Sequence, residues 1–404
     1  MNVPRLRFSK YNEEWNKIDL SNIFSYFSTN SFSREQLDFN GVIKNLHYGD
    51  IHKKFGALVD VSNDINTFIK DQNFNNKYEL CKENDLIIAD ASEDYEGIGK
   101  ATEVININDN KIVSGLHTIM ARDTKNIFSP KFKGYYFNSP AIHNQIRVLA
   151  NGFKVFGISK DTINSLNAYI PSKDEQKDIA DMFQLLDKKI ELQSQKVEAL
   201  KLYKKGLLIS CFKDKIRNTS IKELIFIGKA GGTPKSTIQE YYDGNIPFLS
   251  ISDISGQNKY ITYTEKKVSK KGLNSSSAWI VPKNSVILSM YASYGLPCIN
   301  KIELCTSQAM YSMIFKDNVI NEYVYYYLFY LNQIKFYDSL VSTGTQPNLN
   351  ADKINKIKIY LPTKEEQIHI SNNFQNTDKK INLEFKKLNK LQKLKKGLMQ
   401  SMFV

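Results

Sequence analysis

Two short segments carry side chains of the kinds that catalysis uses. Gly231-Gly-Thr-Pro-Lys-Ser236 is a glycine-rich loop with a lysine, but it lacks the spacing of a phosphate-binding loop, and its proline removes an N–H that a phosphate cradle would use. Asp253 and the run Glu265-Lys-Lys267 superficially match the carboxylates and lysine of a nuclease, in a short pattern that arises often by chance. We interpret both segments as structural and expect no catalytic residue in this chain.

Histidine and cysteine spacing indicates no metal site. The five histidines form no H-x-x-x-H pair and no evident triad, and the four cysteines form no C-x-x-C pair. Neither a zinc site nor a disulfide framework is therefore expected, and we predict a reducing cytoplasm as the location. No signal-peptide pattern is present, and the most apolar run, residues 323–331, is far shorter than the ~20 residues of a membrane-spanning helix.

The charge balance favours a polyanionic partner. The 404 residues carry a formal net charge of +13, and the sequence pI is about 9.2. An excess of this size is typical of proteins that bind nucleic acid or an anionic surface, although a generally basic proteome would also produce it.

An internal repeat is the strongest signal in the sequence. Pro171 and Pro362 stand 191 residues apart and open the similar strings Pro-Ser-Lys-Asp-Glu-Gln and Pro-Thr-Lys-Glu-Glu-Gln. The same offset pairs Asp187-Lys-Lys-Ile190 with Asp378-Lys-Lys-Ile381, and weaker matches continue upstream to Tyr135-Tyr136 and Tyr326-Tyr327. Repeats of this kind mark a duplicated structural unit.

The repeated segments predict two long helices. Proline followed by Ser or Thr, acidic residues and glutamine is a helix start signal. Apolar residues then recur at spacings of four and three, which is the pattern of a coiled-coil seam. Two such helices in one chain would bury their seams against each other as an antiparallel pair, which would act as a spacer between two domains; two ordinary amphipathic core helices are the alternative. The proposed seam residues are Ile179, Phe183, Leu186, Ile190, Val197, Leu200, Ile370, Phe374, Ile381, Leu388 and Leu391.

The remaining sequence reads as two divergent mixed α/β domains, in which short β-like runs alternate with Gly, Asn, Asp and Ser turns and aromatic helical stretches. The predicted fold class is therefore α+β: two mixed α/β domains, each followed by a long helix, with a pseudo-two-fold internal repeat. We place the first domain at 1–170, the first spacer helix at 171–215, the second domain at 216–361 and the second helix at 362–404.

This layout resembles the specificity subunit of type I restriction–modification systems. Local strings resemble it too, namely Gly-Gly-Thr-Pro-Lys-Ser followed by Tyr241-Tyr242, and Thr343-Gly-Thr-Gln-Pro-Asn-Leu349 leading to Leu-Pro-Thr-Lys-Glu-Glu-Gln367. The resemblance covers essentially the whole chain. It is weaker in the first half, where Asn151-Gly-Phe-Lys-Val-Phe156 stands in place of the Thr-Gly-Thr-Gln-Pro-Asn string.

The resemblance implies a noncatalytic subunit that reads a split double-stranded DNA target. The paired helices would set the gap and dock two methyltransferase subunits that modify adenine N6, and restriction subunits would join them. S-adenosylmethionine, ATP and Mg²⁺ would then bind to the partner subunits and no cofactor to this chain. A noncatalytic coiled-coil scaffold and a self-contained nuclease or methyltransferase are the alternatives, and no membrane role is expected.

Base reading requires polar side chains that reach base edges, together with cations for the phosphates. Turn-rich loops supply such candidates, although each is individually as well explained as a solvated or packing residue. The DNA-binding candidates are Lys53, Lys54, Tyr95, Lys154, Lys235, Ser252, Tyr291, Tyr294, Gln346 and Asn348.

Overall fold

The computed structural model describes residues 2–70, 78–291, 293–341 and 348–404. The chain forms two compact units. Unit 1 comprises Met1–Gln193 and Lys387–Val404, and unit 2 comprises Ser194–Lys386. Each unit therefore contains one half of each of the two long helices that the repeat predicts.

Unit 1 is built on a five-stranded sheet of order β2-β11-β7-β9-β5 and a four-stranded sheet of order β10-β4-β6-β3, with two further strand pairs, β1-β13 and β12-β8. The β5–β9 and β4–β10 pairings are parallel, and the other pairings in these sheets are antiparallel. The strands are β1 (Asn16–Ile18), β2 (Phe24–Phe27), β3 (Leu37–Asp38), β4 (Ile43–Leu46), β5 (Leu58–Asp60), β6 (Phe68–Ile69), β7 (Leu86–Ala89), β8 (Ala91–Ser92), β9 (Ala101–Ile105), β10 (Lys111–Ser114), β11 (Thr118–Asp123), β12 (Phe156–Gly157) and β13 (Ala168–Ile170).

One face of the five-stranded sheet packs against the helix of residues 48–53, and the other face is covered by the helices of residues 132–164. Aromatic residues dominate the core beneath them, and Phe132, Tyr135, Tyr136 and Phe137 are all fully buried. This arrangement agrees with the aromatic helical stretch predicted near residues 132–149. The helices before the long one are α1 (Tyr48–Lys53), α2 (Phe132–Phe137), α3 (Pro140–Leu149) and α4 (Lys160–Asn164).

The first long helix, α5 (Lys173–Phe212), begins in unit 1 and ends in unit 2. Unit 2 then repeats the sheet order of unit 1, with a five-stranded sheet β15-β22-β19-β20-β17, a three-stranded sheet β18-β16-β21 and the pair β14-β23. Its strands are β14 (Thr219–Ser220), β15 (Ile225–Ala230), β16 (Ile246–Leu249), β17 (Tyr260–Ile261), β18 (Lys266–Val268), β19 (Val286–Ser289), β20 (Pro297–Asn300), β21 (Cys305–Thr306), β22 (Met310–Phe315) and β23 (Lys358–Ile359). Its other helices are α6 (Ile221–Leu224), α7 (Ile251–Gln257), α8 (Lys270–Asn274), α9 (Asn321–Gln333), α10 (Ala351–Asn355) and α11 (Lys364–Ser401), the last of which ends in unit 1.

Equivalent turns confirm that the two units share one fold despite their divergent sequences. Asn84 and Asn284 precede the equivalent strands β7 and β19, and both adopt a left-handed φ, 67° and 65°, which asparagine tolerates better than most residues. Helices α1 and α7 follow equivalent strands, and each carries a buried aspartate, Asp50 and Asp253. These positions thus belong to equivalent structural elements in the two units.

A buried glutamine holds the start of each long helix. Gln176 Nε2 donates to Pro171 O at 3.0 Å, and its Oε1 accepts from Ser129 N at 2.8 Å. Gln367 makes the same contacts in unit 2, to Pro362 O at 3.0 Å and from Ile320 N at 2.9 Å. The repeated Pro-x-x-x-x-Gln string therefore connects the start of each long helix to the rest of its unit.

The two long helices pack antiparallel within each unit. In unit 1, Phe183 of α5 stacks on Phe403, just beyond α11, with ring centroids 5.7 Å apart. In unit 2, Phe212 stacks on Phe374 at 6.1 Å, and Lys196 pairs with Glu384 at 3.3 Å. The start of α5 thus meets the end of α11 in unit 1, and the end of α5 meets the start of α11 in unit 2, as the predicted antiparallel pairing requires.

The structure leaves none of the eleven proposed seam residues exposed. Five are buried, namely Ile179, Phe183, Val197, Phe374 and Leu388, and the other six are half-buried. No helix in the described ranges is long and apolar enough to cross a membrane.

Candidate nucleic-acid interface

In unit 1, helix α1 presents the first two candidate lysines. The Gly49 N–H donates to His47 Nδ1 at 3.1 Å and so caps the helix start. Lys53 and Lys54 lie exposed at its end, although the Lys54 ammonium contacts the buried Asp50 carboxylate at 3.1 Å. Lys53 makes no ion pair with any described residue, which leaves its charge available to a phosphate.

Two neighbouring elements bring further candidates toward this helix. His52 Nε2 contacts Ala91 O at 3.0 Å and so connects α1 to β8, which pairs in turn with β12 through Ser92 and Phe156. Tyr95, which follows β8, packs edge-on against Phe156 with centroids 5.1 Å apart. The structure thus places Lys53 and Tyr95 on adjoining elements.

The segment before β12 completes this surface. Lys154 is exposed, and its neighbour Phe153 is fully exposed to solvent. The guanidinium of Arg147 lies 5.9 Å from the Tyr95 ring centroid. An exposed aromatic ring beside lysine and arginine suits stacking on bases or insertion between them. Sequence reasoning omitted Phe153 and Arg147; the adjacency of Gly152, Phe153 and Lys154 in a turn-like string was the available signal.

In unit 2, the equivalent elements carry the second set of candidates. Ser252 is exposed in the first turn of α7, and its Oγ lies 2.8 Å from Ser250 Oγ. Tyr291 is exposed just after β19, whereas Tyr294 is half-buried and donates its O–H to Asp338 Oδ1 at 3.0 Å. The hydroxyl of Tyr294 thus makes a structural contact within unit 2.

The remaining candidates of unit 2 lie on two loops. Lys235 is exposed in the loop after β15. Asn348 is half-buried next to Leu349, whose N–H donates to Met290 O at 2.9 Å and so brings this segment beside Tyr291. Gln346 lies outside the described residues, as does most of the Thr-Gly-Thr-Gln-Pro string. The bond from Leu349 to Met290 thus places Asn348 near Tyr291.

The suspected nuclease carboxylate has a structural role. Asp253 Oδ2 accepts from the Ser250 N–H at 2.8 Å and from its Oγ, and Asp253 Oδ1 accepts from the Glu265 N–H at 3.0 Å. The side chain therefore caps α7 and anchors the following loop. Across the described ranges, no three His, Cys, Asp or Glu side chains cluster in a way that would hold a metal ion.

Comparisons with known proteins identify this pair of repeated recognition folds. The sequence matches the family described as the type I restriction modification DNA specificity domain over residues 12–202 and 213–393, which together make up most of the chain. It is 30% identical over 192 residues to the type I restriction enzyme MjaIX specificity subunit of Methanocaldococcus jannaschii, covering 46% of this chain and 44% of that protein. It is 32% identical over 152 residues to the HindI specificity subunit of Haemophilus influenzae, covering 37% of this chain and 33% of that protein. These matches thus span less than half of either relative.

Solved structures show the same fold along the whole chain. The S subunit of a type I restriction–modification system from M. genitalium is similar with a TM-score of 0.58 and 16% identity, covering 100% of this chain and 99% of that one. A chain from a structure concerned with complex assembly and conformational transition of the type I R-M system gives a TM-score of 0.61 and 15% identity, covering 98% and 96%. With two copies of the family's domain, this chain belongs to the type I restriction–modification DNA specificity family.

Proposed function

We propose that this chain is a noncatalytic subunit that reads a split double-stranded DNA target and directs partner enzymes to it. The observation that carries this proposal is the duplicated recognition fold. Both units have the same five-strand order, and each ends in a long helix that is held by the same buried glutamine. Two copies of one DNA-reading fold, with different loop residues, would read two different short sequences separated by a gap.

The loop chemistry of unit 1 supports DNA rather than a neutral partner. Lys53 and Lys154 provide cations near Tyr95 and Phe153, Arg147 adds a guanidinium that also pairs with Glu96, and the chain as a whole carries a net charge of +13. Cations contact phosphates irrespective of sequence, whereas the polar and aromatic side chains between them contact bases. A pure coiled-coil scaffold would have no use for this surface.

The partners we propose are two methyltransferase subunits, which modify adenine N6, and restriction subunits. In unit 1 the exposed side chains of Leu192 and Leu394 lie on α5 and α11; in unit 2 the repeat offset places Leu383 and Tyr203 in the same roles. Each helix pair thus presents the same exposed apolar pair, which suits two copies of one partner. We expect S-adenosylmethionine, ATP and Mg²⁺ to bind to those partners.

The test is a map of methylated bases across the host genome, with and without the gene for this chain. We expect N6-methyladenine to disappear from one motif, composed of two short blocks separated by a fixed gap. Unchanged methylation in the deletion strain would contradict the targeting role. A purified chain that cleaves or methylates DNA without partners would instead favour the self-contained enzyme.

A further inference from the structure

Unit 2 contains a cavity of about 770 Å³ beneath its recognition sheet, lined by side chains from α5, α7, β17, α9 and α11. This volume lies in the range of small-molecule sites. Five lysines line it against one carboxylate, that of Asp378. The lining lysines are Lys201, Lys204, Lys205, Lys259 and Lys379.

Lys259 is the unusual member of this set because only 8% of its surface is exposed. Its ammonium donates to Tyr326 Oη at 2.8 Å and lies over the rings of Tyr326, Tyr325 and Tyr260, at 4.1, 5.1 and 4.7 Å from their centroids. Within the described ranges, no carboxylate forms an ion pair with it. The nearest negative charge reaches it through Tyr326 Oη, which donates to Asp378 Oδ2 at 2.7 Å. A buried cation that no carboxylate contacts directly is costly, and such groups are candidates for functional sites.

The repeat shows that the fold does not require this lysine. Lys259 O accepts from the Ile299 N–H at 2.8 Å, and in unit 1 the corresponding carbonyl is that of Ala57, which accepts from Glu103 N at 2.9 Å. Unit 1 thus has alanine where unit 2 has a buried lysine. Of the two buried lysines in the described part of unit 1, Lys133 is neutralised by Glu103 at 3.0 Å, and Lys44 donates to the carbonyl oxygen of Val61.

The backbone at the cavity wall is strained at the adjacent residue. Asn258, which ends α7 and lines the cavity, has φ 64° and ψ −114°, far from the regions that non-glycine residues populate. Strain of this kind persists where the surrounding structure holds it and is concentrated at binding sites. Here the strained residue Asn258 immediately precedes the buried Lys259 in the chain.

We propose that this cavity binds a phosphate-bearing anion of nucleotide size, with Lys259 as the central cation and the rings of Tyr260 and Tyr325 as walls. Lys205 and Lys379, which form no ion pair with a described carboxylate, supply further positive charge at its edge. The phosphate belongs either to a free nucleotide or to the DNA backbone. This inference does not depend on the proposed reading of a split target.

The charge state of Lys259 makes the site sensitive to pH. Burial lowers the pKa of Lys259 to about 8, with Lys204 and Lys301 acting in the same direction and Asp378 and Glu322 opposing them. The ammonium is therefore the main form at pH 7 and is lost as pH rises through about 8. We expect anion affinity to be steady below that pH and to fall above it.

The first experiment titrates the full chain with tripolyphosphate at pH 7 by calorimetry, without divalent cations. We expect one equivalent to bind, and Lys259→Ala to weaken binding by about tenfold or more, equivalent to about 1.4 kcal/mol. Lys283→Ala removes a lysine that is exposed outside the cavity and should leave affinity within about twofold. Thermal unfolding checks that Lys259→Ala is folded, which the alanine at position 57 of unit 1 leads us to expect.

Two further titrations distinguish the sources of the phosphate. If adenosine diphosphate displaces tripolyphosphate from the native chain but binds weakly to Lys259→Ala, the phosphate belongs to a free nucleotide. If Lys259→Ala binds duplex DNA more weakly than the native chain and Lys283→Ala does not, the phosphate belongs to the DNA backbone. Equal tripolyphosphate affinity in the native chain and Lys259→Ala, or affinity that does not fall above pH 8, would overturn the proposal. Because neither readout involves methylation or target sequence, its failure is distinguishable from failure of the proposed function.

Discussion

At the residue scale, protonation of His47 makes the stability of the protein depend on pH, at the helix that carries the candidate residues Lys53 and Lys54. Its Nδ1 must be unprotonated to accept from the Gly49 N–H at the start of α1. Burial lowers the pKa of His47 to about 4, helped by Arg34 and His117 and opposed by Asp50. The folded state therefore binds fewer protons than the unfolded state between pH 6.5 and pH 4. The stabilisation present above pH 6.5 is lost as the pH falls through that window.

We expect the contribution of His47 to lower the free energy of unfolding by about 2 kcal/mol when the pH is lowered from 7 to 5. Asparagine also caps helices but does not titrate, so His47→Asn should flatten the pH dependence. Urea unfolding at both pH values measures the difference, and His369→Asn, at an exposed position on α11, serves as the control. Equal pH dependence in the native chain and His47→Asn would contradict the assignment.

Lys259 gives a second prediction of the same kind and in the same direction, at higher pH. Its pKa is about 8 in the folded protein and about 10.5 when unfolded, so the folded state binds fewer protons in that window and stability rises with pH through it. Below pH 8 the full cost of burying the cation applies. Lys259→Met, which removes the charge and keeps the volume, should therefore raise the unfolding free energy at pH 7 by about 2 kcal/mol.

The difference in unfolding free energy between Lys259→Met and Lys283→Met, measured in urea, isolates the cost of burying the Lys259 ammonium, because both variants remove one positive charge. A loss of stability in Lys259→Met would mean that the contacts with Tyr260, Tyr325 and Tyr326 outweigh desolvation. The lysine would then be a structural element rather than a cation held for an anion.

At the element scale, a repeated three-residue cluster fixes the pairing of the long helices. In unit 2, Lys204 of α5 pairs with Asp378 of α11 at 2.6 Å, and Asp378 accepts from Tyr326 Oη at 2.7 Å. In unit 1, Asp187 of α5 pairs with Lys395 of α11 at 2.5 Å and accepts from Tyr135 Oη at 3.1 Å. Each cluster joins both helices to the aromatic helix of its recognition fold.

We expect a double-mutant cycle on Lys204→Met and Asp378→Asn to give a coupling energy of about 1 kcal/mol, because both side chains are largely shielded from water. The exposed pair of Lys201 and Glu198 on α5 provides the comparison, with coupling of about 0.3–0.5 kcal/mol at most. Chemical unfolding of the single and double variants measures both values. Coupling no greater than that of the exposed pair would mean that the cluster does not set helix register.

The helices show what the linear pattern predicts and what it leaves open. The period of the apolar residues was enough to predict two long helices that contact each other, because burial of one helix face is encoded locally. The repeat also aligned Tyr135 with Tyr326 and Lys204 with Lys395. Their contacts with the aspartates could not be predicted, since they depend on how distant segments pack. Lys259 was missed for a related reason: nothing local marks a lysine as buried.

The loops were less predictable than the helices. Tyr95 and Lys53 do lie on adjoining elements, but Tyr294 hydrogen-bonds to Asp338, and Lys54 contacts Asp50. Loop side chains take their orientation from contacts with distant residues rather than from sequence period, so residue type alone cannot separate a base-reading tyrosine from a packing one. The sequence therefore predicts the types of side chain that read bases, but it does not predict where each of those side chains lies.

At the scale of the whole molecule, the length of the helices should determine the gap in the DNA target. A heptad is two helical turns, so removing seven residues from each helix keeps the same faces in contact and shortens each by about 10 Å. Deleting residues 192–198 and 383–389, which the repeat makes equivalent, preserves both Tyr–Asp–Lys clusters. At about 3.4 Å per base pair, the gap should shorten by about three base pairs while both half-sites are retained.

Methylated-base mapping in a strain that carries the shortened chain measures this change, and a chain with the same two heptads duplicated should lengthen the gap by a similar amount. Deletion of residues 192–198 alone is the matched control. It shifts α5 against α11 and separates one of the ion pairs, so it should abolish methylation rather than change the gap. If the doubly shortened chain methylates the original motif, the helices do not measure the target. The spacing must then be set within the recognition folds themselves.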